Sequence, residues 1–222
     1  MRKRLLNFNP VQPIRQQKEL NVRDEILSTE QFQQLQAHSP THLRPINLVA
    51  YVTGMRKGEI LNLRWDRVDL KGGFIRLRPE DTKTREGRLI PLSLSVELEE
   101  IFRDLAKTRA LHDPRVFLRD GKPILDVDGA FAAACREAKI TDFRFHDFRH
   151  TAITNMRRAG IDQLTIMKLS GHKTMVCFTR YNSFREPDLK AAASKINTYL
   201  TLASQTASTV ASDQLAELRV TG

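Results

Sequence analysis

Cysteine is scarce in this chain of 222 residues, which contains only Cys135 and Cys177. Two cysteines can build neither a disulfide framework nor a four-cysteine zinc site, and this composition is typical of a reducing, cytosolic setting. No apolar run approaches the roughly 20 residues of a membrane span. Asn7, Asn9 and Pro10 interrupt the region behind the basic start, where a signal peptide would need an unbroken apolar stretch. We therefore expect a cytoplasmic protein that is neither exported nor embedded in a membrane.

Acidic residues are fewer than basic ones, since 36 lysines and arginines face 26 aspartates and glutamates and give a formal net charge of +10. Such an excess is typical of a protein with a polyanionic partner, and nucleic acid is the first candidate. A basic surface with no such partner is the alternative, because net charge bears on association and not on fold. The hydrophobic content of 41% predicts one globular domain with a real core.

The spacing of apolar residues predicts a mainly α domain with a small antiparallel β-sheet, an α+β fold. A capping box at residues 28–31 begins the first helix, Gly54 ends the second, and a third begins near Lys57. Residues 68–91 alternate at period two with turn residues between them, which predicts three antiparallel strands. Further helices are predicted at residues 93–105, 127–138, 146–159 and 162–169, around Tyr181, and at 189–200.

Two segments combine residue types that suit the binding of an anion. Arg56 stands where two predicted helices meet, between glycines that let the backbone approach closely, although a solvated arginine at a helix corner has the same pattern. His146 and Arg149 are predicted to share one helix face, where the guanidinium can hold a phosphate bidentately and the imidazole can exchange a proton. The alternative is that both are surface residues on an exposed helix flank.

The same segment permits a metal site, because His146 and His150 lie four apart, as in the zinc helix of metalloproteases. Arg149 inside that turn would repel a metal ion, and His172 would have to supply the third ligand from elsewhere. Tyr181 follows an arginine near the end of the chain, and a tyrosine more often packs than reacts. The residues alone leave these alternatives open.

The short motifs taken together, in their order and spacing, resemble the tyrosine recombinases of the phage integrase family. The resemblance runs from about Val22 to Lys190, and it favours the integrases of phages and other mobile elements. The motifs are Thr-Gly-Met-Arg-x-Gly-Glu at 53–59, Thr-Lys at 82–83, His-Asp-x-Arg-His-Thr at 146–151, Gly-His at 171–172 and Arg-Tyr at 180–181.

The resemblance implies a catalytic-domain fold and a role for each matching residue. Lys83 is one of several cations in its turn, so Arg85 and Arg88 remain alternatives to it. The family often has Ala-His after its Arg-Tyr, whereas this chain has Asn182 and Ser183, so no role for a second histidine is expected there. The implied roles are a grip on the scissile phosphate by Arg56 and Arg149, proton transfer by Lys83 and His146, a hydrogen bond from His172 to a phosphate oxygen, and attack by Tyr181.

The resemblance also implies the partners. The 3′-phosphotyrosyl intermediate keeps the energy needed for rejoining, so neither a cofactor nor a metal is expected, and the chain lacks a Gly-x-x-x-x-Gly-Lys-Ser/Thr phosphate loop. The expected partners are double-stranded DNA, other recombinase subunits in a tetramer on that DNA, and DNA-bending accessory proteins, with no membrane. A type IB topoisomerase, which shares this chemistry, and a DNA-binding remnant that no longer cuts are the rival functions.

The family usually carries an upstream helical domain, and this implies the domain organisation. Residues 1–22 are expected to be a linker from a missing N-terminal DNA-binding domain, 23–200 the catalytic domain, and 201–222 a flexible C-terminal tail. The amphipathic segment 188–200 either docks onto a neighbouring subunit or packs against its own domain.

Overall fold

The computed structural model describes residues 25–83, 85–175, 178, 186, 189–202 and 204. Within them the chain is mainly helical with small antiparallel sheets, which confirms the predicted fold class. The helices are α1 (Thr29–His38), α2 (Arg44–Thr53), α3 (Lys57–Leu61), α4 (Val96–Lys107), α5 (Asp128–Glu137), α6 (Phe148–Arg158) and α7 (Gln163–Ser170). The strands are β1 (Val68–Asp69), β2 (Phe74–Leu77), β3 (Arg88–Pro91), β4 (Leu118–Arg119) and β5 (Lys122–Pro123).

Some sequence-based predictions fall outside the described residues. They include the linker at 1–22, Tyr181 with the helix expected around it, and the tail beyond residue 204. These stay predictions.

Local signals in the sequence begin α1 and end α2 as predicted. The Ser28 hydroxyl accepts a hydrogen bond from the Gln31 backbone N–H at 3.1 Å, while the Gln31 side chain accepts one from the Ser28 N–H at 2.9 Å. This capping box satisfies two of the donors that a helix start leaves without partners. Gly54 ends α2 in the left-handed conformation, with φ of 64°. The helix bounds near the site therefore follow from local chemistry.

Strands β1, β2 and β3 form an antiparallel sheet in that order, as the alternation predicted. Ile75 pairs with Val68 on one side and with Ile90 on the other, and Ile75 and Ile90 are fully buried. The hairpin of β4 and β5 was not predicted, because strands of two residues are too short to show a period of two.

Aromatic packing places the start of α6 in the centre of the domain. Phe148, 1% exposed, makes edge-to-face contacts with Phe32 and Tyr51, which stack on each other at 3.8 Å between ring centroids. A second cluster, made of Ile153, Met156, Ile166 and Phe178, packs α7 against α6. The start of α6 is thereby held in the first cluster, and the second cluster holds α7 and Phe178 against α6.

The helical segment 189–202 leaves its apolar side chains in solvent. Ile196, for example, is 61% exposed, and Tyr199 is 71% exposed. The exposure of the described residues favours docking onto another subunit over packing against its own domain, and the docking stays a prediction. None of the helices formed by the described residues has the length and apolar character needed to cross a membrane.

Candidate active site

His146 does not lie on the helix that the sequence predicted for it. It belongs to a 3₁₀ turn, Phe145–Asp147, and α6 begins only at Phe148. The Asp147 carboxylate accepts a hydrogen bond from the Arg144 N–H at 2.8 Å, a capping interaction that starts this 3₁₀ turn directly before α6. His146 is exposed in this turn, whereas Arg149, three residues further on, is 2% exposed, so the alternative of two surface residues on an exposed flank is wrong for Arg149.

Arg149 joins three distant segments of the chain. Its Nη1 donates a hydrogen bond to the Gly54 carbonyl oxygen at 2.8 Å, and its Nη2 lies 3.2 Å from both ring nitrogens of His172. A Cβ atom at Gly54 would lie 3.2 Å from the Cβ of Ala152, so a glycine allows the end of α2 to approach α6 this closely. The result is a guanidinium held in a defined position beneath the surface.

Arg56 caps α3 and is oriented by one carboxylate. Its backbone N–H and its Nη1 each donate a hydrogen bond to the Glu59 carboxylate at 2.9 Å, and its Nη2 lies 3.5 Å from the Gly171 carbonyl oxygen. The side chain keeps 23% of its surface exposed. The solvated helix-corner arginine that the pattern also allowed is thus excluded.

A buried ion pair that the sequence analysis missed lies behind Arg56. Both terminal nitrogens of Arg88 donate to Glu59, at 3.1 and 2.5 Å, and its Nε donates to the Leu169 carbonyl oxygen at 3.0 Å. The side chains of Arg88 and Glu59 are 5% and 3% exposed. Glu59 itself belongs to the Thr-Gly-Met-Arg-x-Gly-Glu motif, whereas nothing local in the sequence indicates its pairing with Arg88 on β3.

His172 follows α7 directly and is held by four neighbours. Gly171 ends α7 with φ of 74°, and the His172 backbone N–H donates to the Met167 carbonyl oxygen at 3.0 Å. Its Nδ1 lies 2.8 Å from the Ser170 hydroxyl, and its ring meets the edge of the buried Phe178 at 5.8 Å between centroids. The predicted site histidine therefore lies beside Arg149.

Lys83 lies at the surface in the turn between β2 and β3. The buried Thr82 hydroxyl accepts from the Glu86 N–H at 3.1 Å and donates to the Glu86 carbonyl oxygen at 3.0 Å, which holds the turn together. Within the described part of the chain, no contact brings Lys83 to the other site residues. Arg88, one alternative to it, is committed to Glu59, while Arg85 is exposed in the same turn.

The two site histidines are surrounded by positive charge. Desolvation, followed by the charges of Arg149, Arg56, Arg88 and His146, lowers the pKa of His172 to about 3. Desolvation and then Arg149 lower the pKa of His146 as well, against the opposing effect of Asp147. Both imidazoles are therefore neutral at neutral pH.

The charge balance of the cluster favours an anion. Arg56 and Arg88 both bind the one buried carboxylate, Glu59, and Arg149 lies beside His172, so these four charged groups carry a net charge of +2. Burial alone raises the pKa of the Glu59 carboxyl, but hydrogen bonds and charge from Arg88, and then from Arg56, outweigh it and hold the pKa below its ordinary value. A phosphate diester matches the fixed geometry and sign of such a group.

Replacing Glu59 with glutamine is expected to lower the free energy of unfolding by about 3 kcal/mol at neutral pH, because it leaves buried guanidiniums uncompensated. A lowered pKa in the folded state stabilises the protein above the ordinary carboxyl pKa and ceases to do so as the pH falls through the lowered value. The difference between wild type and variant should therefore shrink below about pH 4. Urea denaturation at neutral and acid pH measures it.

Glu99→Gln is the matched control, because it makes the same substitution in the exposed pair of Glu99 with Arg103 on α4. Exposed ion pairs of this kind contribute about 0.5 kcal/mol or less to the free energy of unfolding. Equal stability losses in the two variants would contradict the structural role of Glu59.

No three His, Cys, Asp or Glu side chains among the described residues form a group that could hold a metal ion. The set His146, His150 and His172, which the zinc-hydrolase hypothesis requires, is thus not brought together as ligands.

The sequence model of the phage integrase family matches residues 25–186. The shufflon-specific DNA recombinase of Escherichia coli is 31% identical over 185 residues, which are 80% of this chain and 44% of that protein. The integrase of Salmonella phage P22 is 27% identical over 192 residues, 80% of this chain and 48% of that protein. The chain thus spans about half the length of these curated relatives, and it belongs to the phage integrase family.

Solved structures show the same fold. The XerA recombinase superposes with a TM-score of 0.66 at 22% identity, covering 77% of this chain and 64% of that one. The catalytic core of lambda integrase superposes with a TM-score of 0.56 at 20% identity, covering 66% of this chain and 91% of that one. A lambda integrase dimer bound to a COC′ core site superposes with a TM-score of 0.59.

Proposed function

We propose that this chain cleaves and rejoins DNA strands at specific sites, with Tyr181 forming a 3′-phosphotyrosyl bond. The observation that carries the proposal is the convergence of Arg56, Arg149 and His172 from three separate segments. Arg56 reaches the Gly171 carbonyl oxygen beside His172, and Arg149 contacts both Gly54 and His172. Family membership supplies the reaction class. Tyr181 lies outside the described residues, so its part rests on the Arg-Tyr motif.

The two arginines suit the phosphate chemistry. A phosphodiester gains negative charge toward its five-coordinate transition state, and fixed donors aimed at that charge stabilise it without reorganisation. The Arg149 guanidinium is fixed by Gly54 and the Arg56 guanidinium by Glu59 before any DNA arrives. We assign both to the nonbridging oxygens of the scissile phosphate.

Proton transfer is assigned to His146 and Lys83. A phenol with an ordinary pKa of about 10 is mostly protonated at neutral pH, so Tyr181 needs a base. His146 is exposed, and its lowered pKa keeps it neutral and able to accept that proton. The leaving 5′ oxygen needs a proton in return, and Lys83, on the exposed turn, is the proposed donor.

The partners follow from charge and from the relatives. The net charge of +10 supports binding to duplex DNA through phosphates, with affinity that falls as salt rises. Structural neighbours were solved as a dimer on DNA and as a post-cleavage complex on a palindromic substrate. We propose that residues 23–200 act as a catalytic domain together with other recombinase subunits, in a tetramer on DNA, and with DNA-bending proteins where the target requires them.

Covalent trapping tests this function directly. A nicked suicide duplex that loses a short strand after cleavage should leave a DNA adduct, which mass spectrometry should locate on Tyr181. Relaxation of supercoiled plasmid without sequence preference would favour a topoisomerase instead, binding without any adduct would favour a remnant, and loss of activity to a chelator would favour a zinc hydrolase.

Lys83→Ala is expected to slow cleavage about a hundredfold while changing DNA affinity little, because it removes the proton donor for the leaving oxygen. A substrate with sulfur in place of the bridging 5′ oxygen should restore the rate, since a thiolate leaves without a proton. Single-turnover cleavage of the two substrates measures the effect.

Arg85→Ala is the matched control in the same turn, and it should leave cleavage of both substrates nearly unchanged. The assignment of Lys83 fails if its variant is equally slow on the sulfur substrate, or if Arg85→Ala rather than Lys83→Ala is the one rescued by sulfur.

A further inference from the structure

Ser170, the last residue of α7, makes two short contacts through one hydroxyl. Its Oγ lies 2.7 Å from the Ile166 carbonyl oxygen and 2.8 Å from Nδ1 of His172. The residue is 1% exposed. A second carbonyl, that of Met167, lies 3.4 Å away on the same side of the helix end.

Counting protons decides how these contacts are made. A carbonyl oxygen only accepts, so the single hydroxyl proton of Ser170 must point to Ile166 for the 2.7 Å contact to be attractive. The same hydroxyl then acts as the acceptor toward His172, and the hydrogen of that bond must come from Nδ1. In a neutral imidazole this leaves Nε2 without a proton.

We propose that Ser170 is a positioning residue that holds neutral His172 in its Nδ1–H tautomer and so presents Nε2 to the site as a proton acceptor. This inference deepens the proposed function and rests on it for its catalytic meaning. Arg149 Nη2, which can only donate, lies at the same distance of 3.2 Å from both ring nitrogens, so the Ser170 contacts, and not Arg149, decide the tautomer.

The surroundings of His172 support the neutral form. The charged groups that act on it are Arg149 from α6, Arg56 before α3 and Arg88 from β3, with the titratable His146 nearby. The edge of Phe178 covers part of the ring. With this excess of positive charge the imidazole stays uncharged until an anion enters the site.

The tautomer changes the role that the resemblance implied for His172. A neutral imidazole with a bare Nε2 cannot donate a hydrogen bond to a phosphate oxygen. His172 must first take up a proton from solvent at Nε2, and it then becomes an imidazolium donor toward that oxygen while keeping its Nδ1–H bond to Ser170. The incoming negative charge of the phosphate favours that uptake.

Nitrogen NMR of the DNA-free full chain tests the tautomer without any reaction. The two nitrogens of a neutral imidazole differ strongly in ¹⁵N shift, and the chain has six histidines, so a His172→Asn sample assigns the signals. We expect Nδ1 of His172 to carry the proton in the wild type and a shift toward the Nε2–H form in Ser170→Ala. Ser170→Thr, which keeps the hydroxyl, should retain the wild-type tautomer.

Cleavage rates add the functional test. Ser170→Ala should slow single-turnover cleavage of suicide DNA about tenfold, the effect of one hydrogen bond, with DNA affinity unchanged. The matched control is Ser39→Ala, because Ser39 is also buried, donates to the Leu35 carbonyl oxygen at 2.7 Å and accepts from Asn47 at 3.0 Å, between α1 and α2. The Ser39→Ala variant should lose about as much free energy of unfolding as Ser170→Ala and should cleave DNA at the wild-type rate.

The results separate this inference from the proposed function. An Nε2–H signal in the wild type, or a tautomer that Ser170→Ala leaves unchanged, overturns the inference even if the wild type cleaves DNA. Equal slowing by Ser39→Ala and Ser170→Ala overturns it too, because the effect would then be one of stability. Absence of cleavage by the wild type, with the NMR result as expected, overturns the proposed function and leaves the tautomer assignment standing.

Discussion

Replacing Tyr181 with phenylalanine is expected to abolish the covalent protein–DNA adduct and to leave DNA affinity nearly unchanged. The substitution removes only the phenolic oxygen that is proposed to bond to phosphorus, and a phenylalanine ring has no oxygen with which to form that bond. Affinity is set by many lysine and arginine contacts to phosphates, none of which is removed. Denaturing gel electrophoresis of suicide DNA measures the adduct, and a salt titration of duplex binding measures the affinity.

Tyr199→Phe provides the matched control, because the chain has only three tyrosines and Tyr199 is 71% exposed in the helical segment 189–202. Its variant should form the adduct at the wild-type level in a single-turnover reaction. An adduct that persists in Tyr181→Phe would identify another nucleophile and overturn the assignment.

Replacing Arg149 with lysine is expected to slow cleavage by about a hundred- to a thousandfold, the usual effect of removing one fixed donor to a transition state. The guanidinium donates to the Gly54 carbonyl oxygen through Nη1 while its Nη2 reaches His172. A lysine presents one ammonium on a flexible stem and cannot keep both positions while also donating to a phosphate. Single-turnover cleavage at a temperature well below the unfolding transition isolates the effect on the reaction.

Arg103→Lys is the control for this substitution, since Arg103 lies on α4 and is exposed in a pair with Glu99. It should cleave at the wild-type rate and bind DNA equally well. Cleavage by Arg149→Lys within about threefold of the wild type would mean that its guanidinium geometry is not used in the transition state.

The fold elements near the site were predictable because their signals are local. The Ser28 capping box and the left-handed Gly54 act within one turn of chain, so the bounds of α1 and α2 follow from neighbours in sequence. The 3₁₀ form of the turn that carries His146 was not predicted, because apolar spacing does not distinguish a first 3₁₀ turn from the α-helix that follows it. Apolar periodicity reports which residues are buried, and it is less sensitive to where a helix starts.

The residue types of the site could also be predicted from the sequence, because its arginines, lysine, histidines and tyrosine stand in short motifs that follow one another in a characteristic order. The ion pair of Glu59 with Arg88 was missed, and the role of Ser170 went unnoticed, because each is defined by atoms that approach only after folding. No spacing rule connects β3 to α3. Such contacts between distant segments form only in the folded chain.

The amino-acid sequence by itself determined the mainly helical architecture, the positive charge, the family and the identity of the groups proposed to act on phosphate, because these depend on composition and on neighbours along the chain. Only the tertiary structure decided how those groups are held. Arg149 is buried against Gly54 and His172, Arg56 is oriented by a carboxylate that also binds Arg88, and the Ser170 hydroxyl directs the proton of an imidazole. These are contacts between surfaces brought together by core packing, and their geometry exists only in the folded chain.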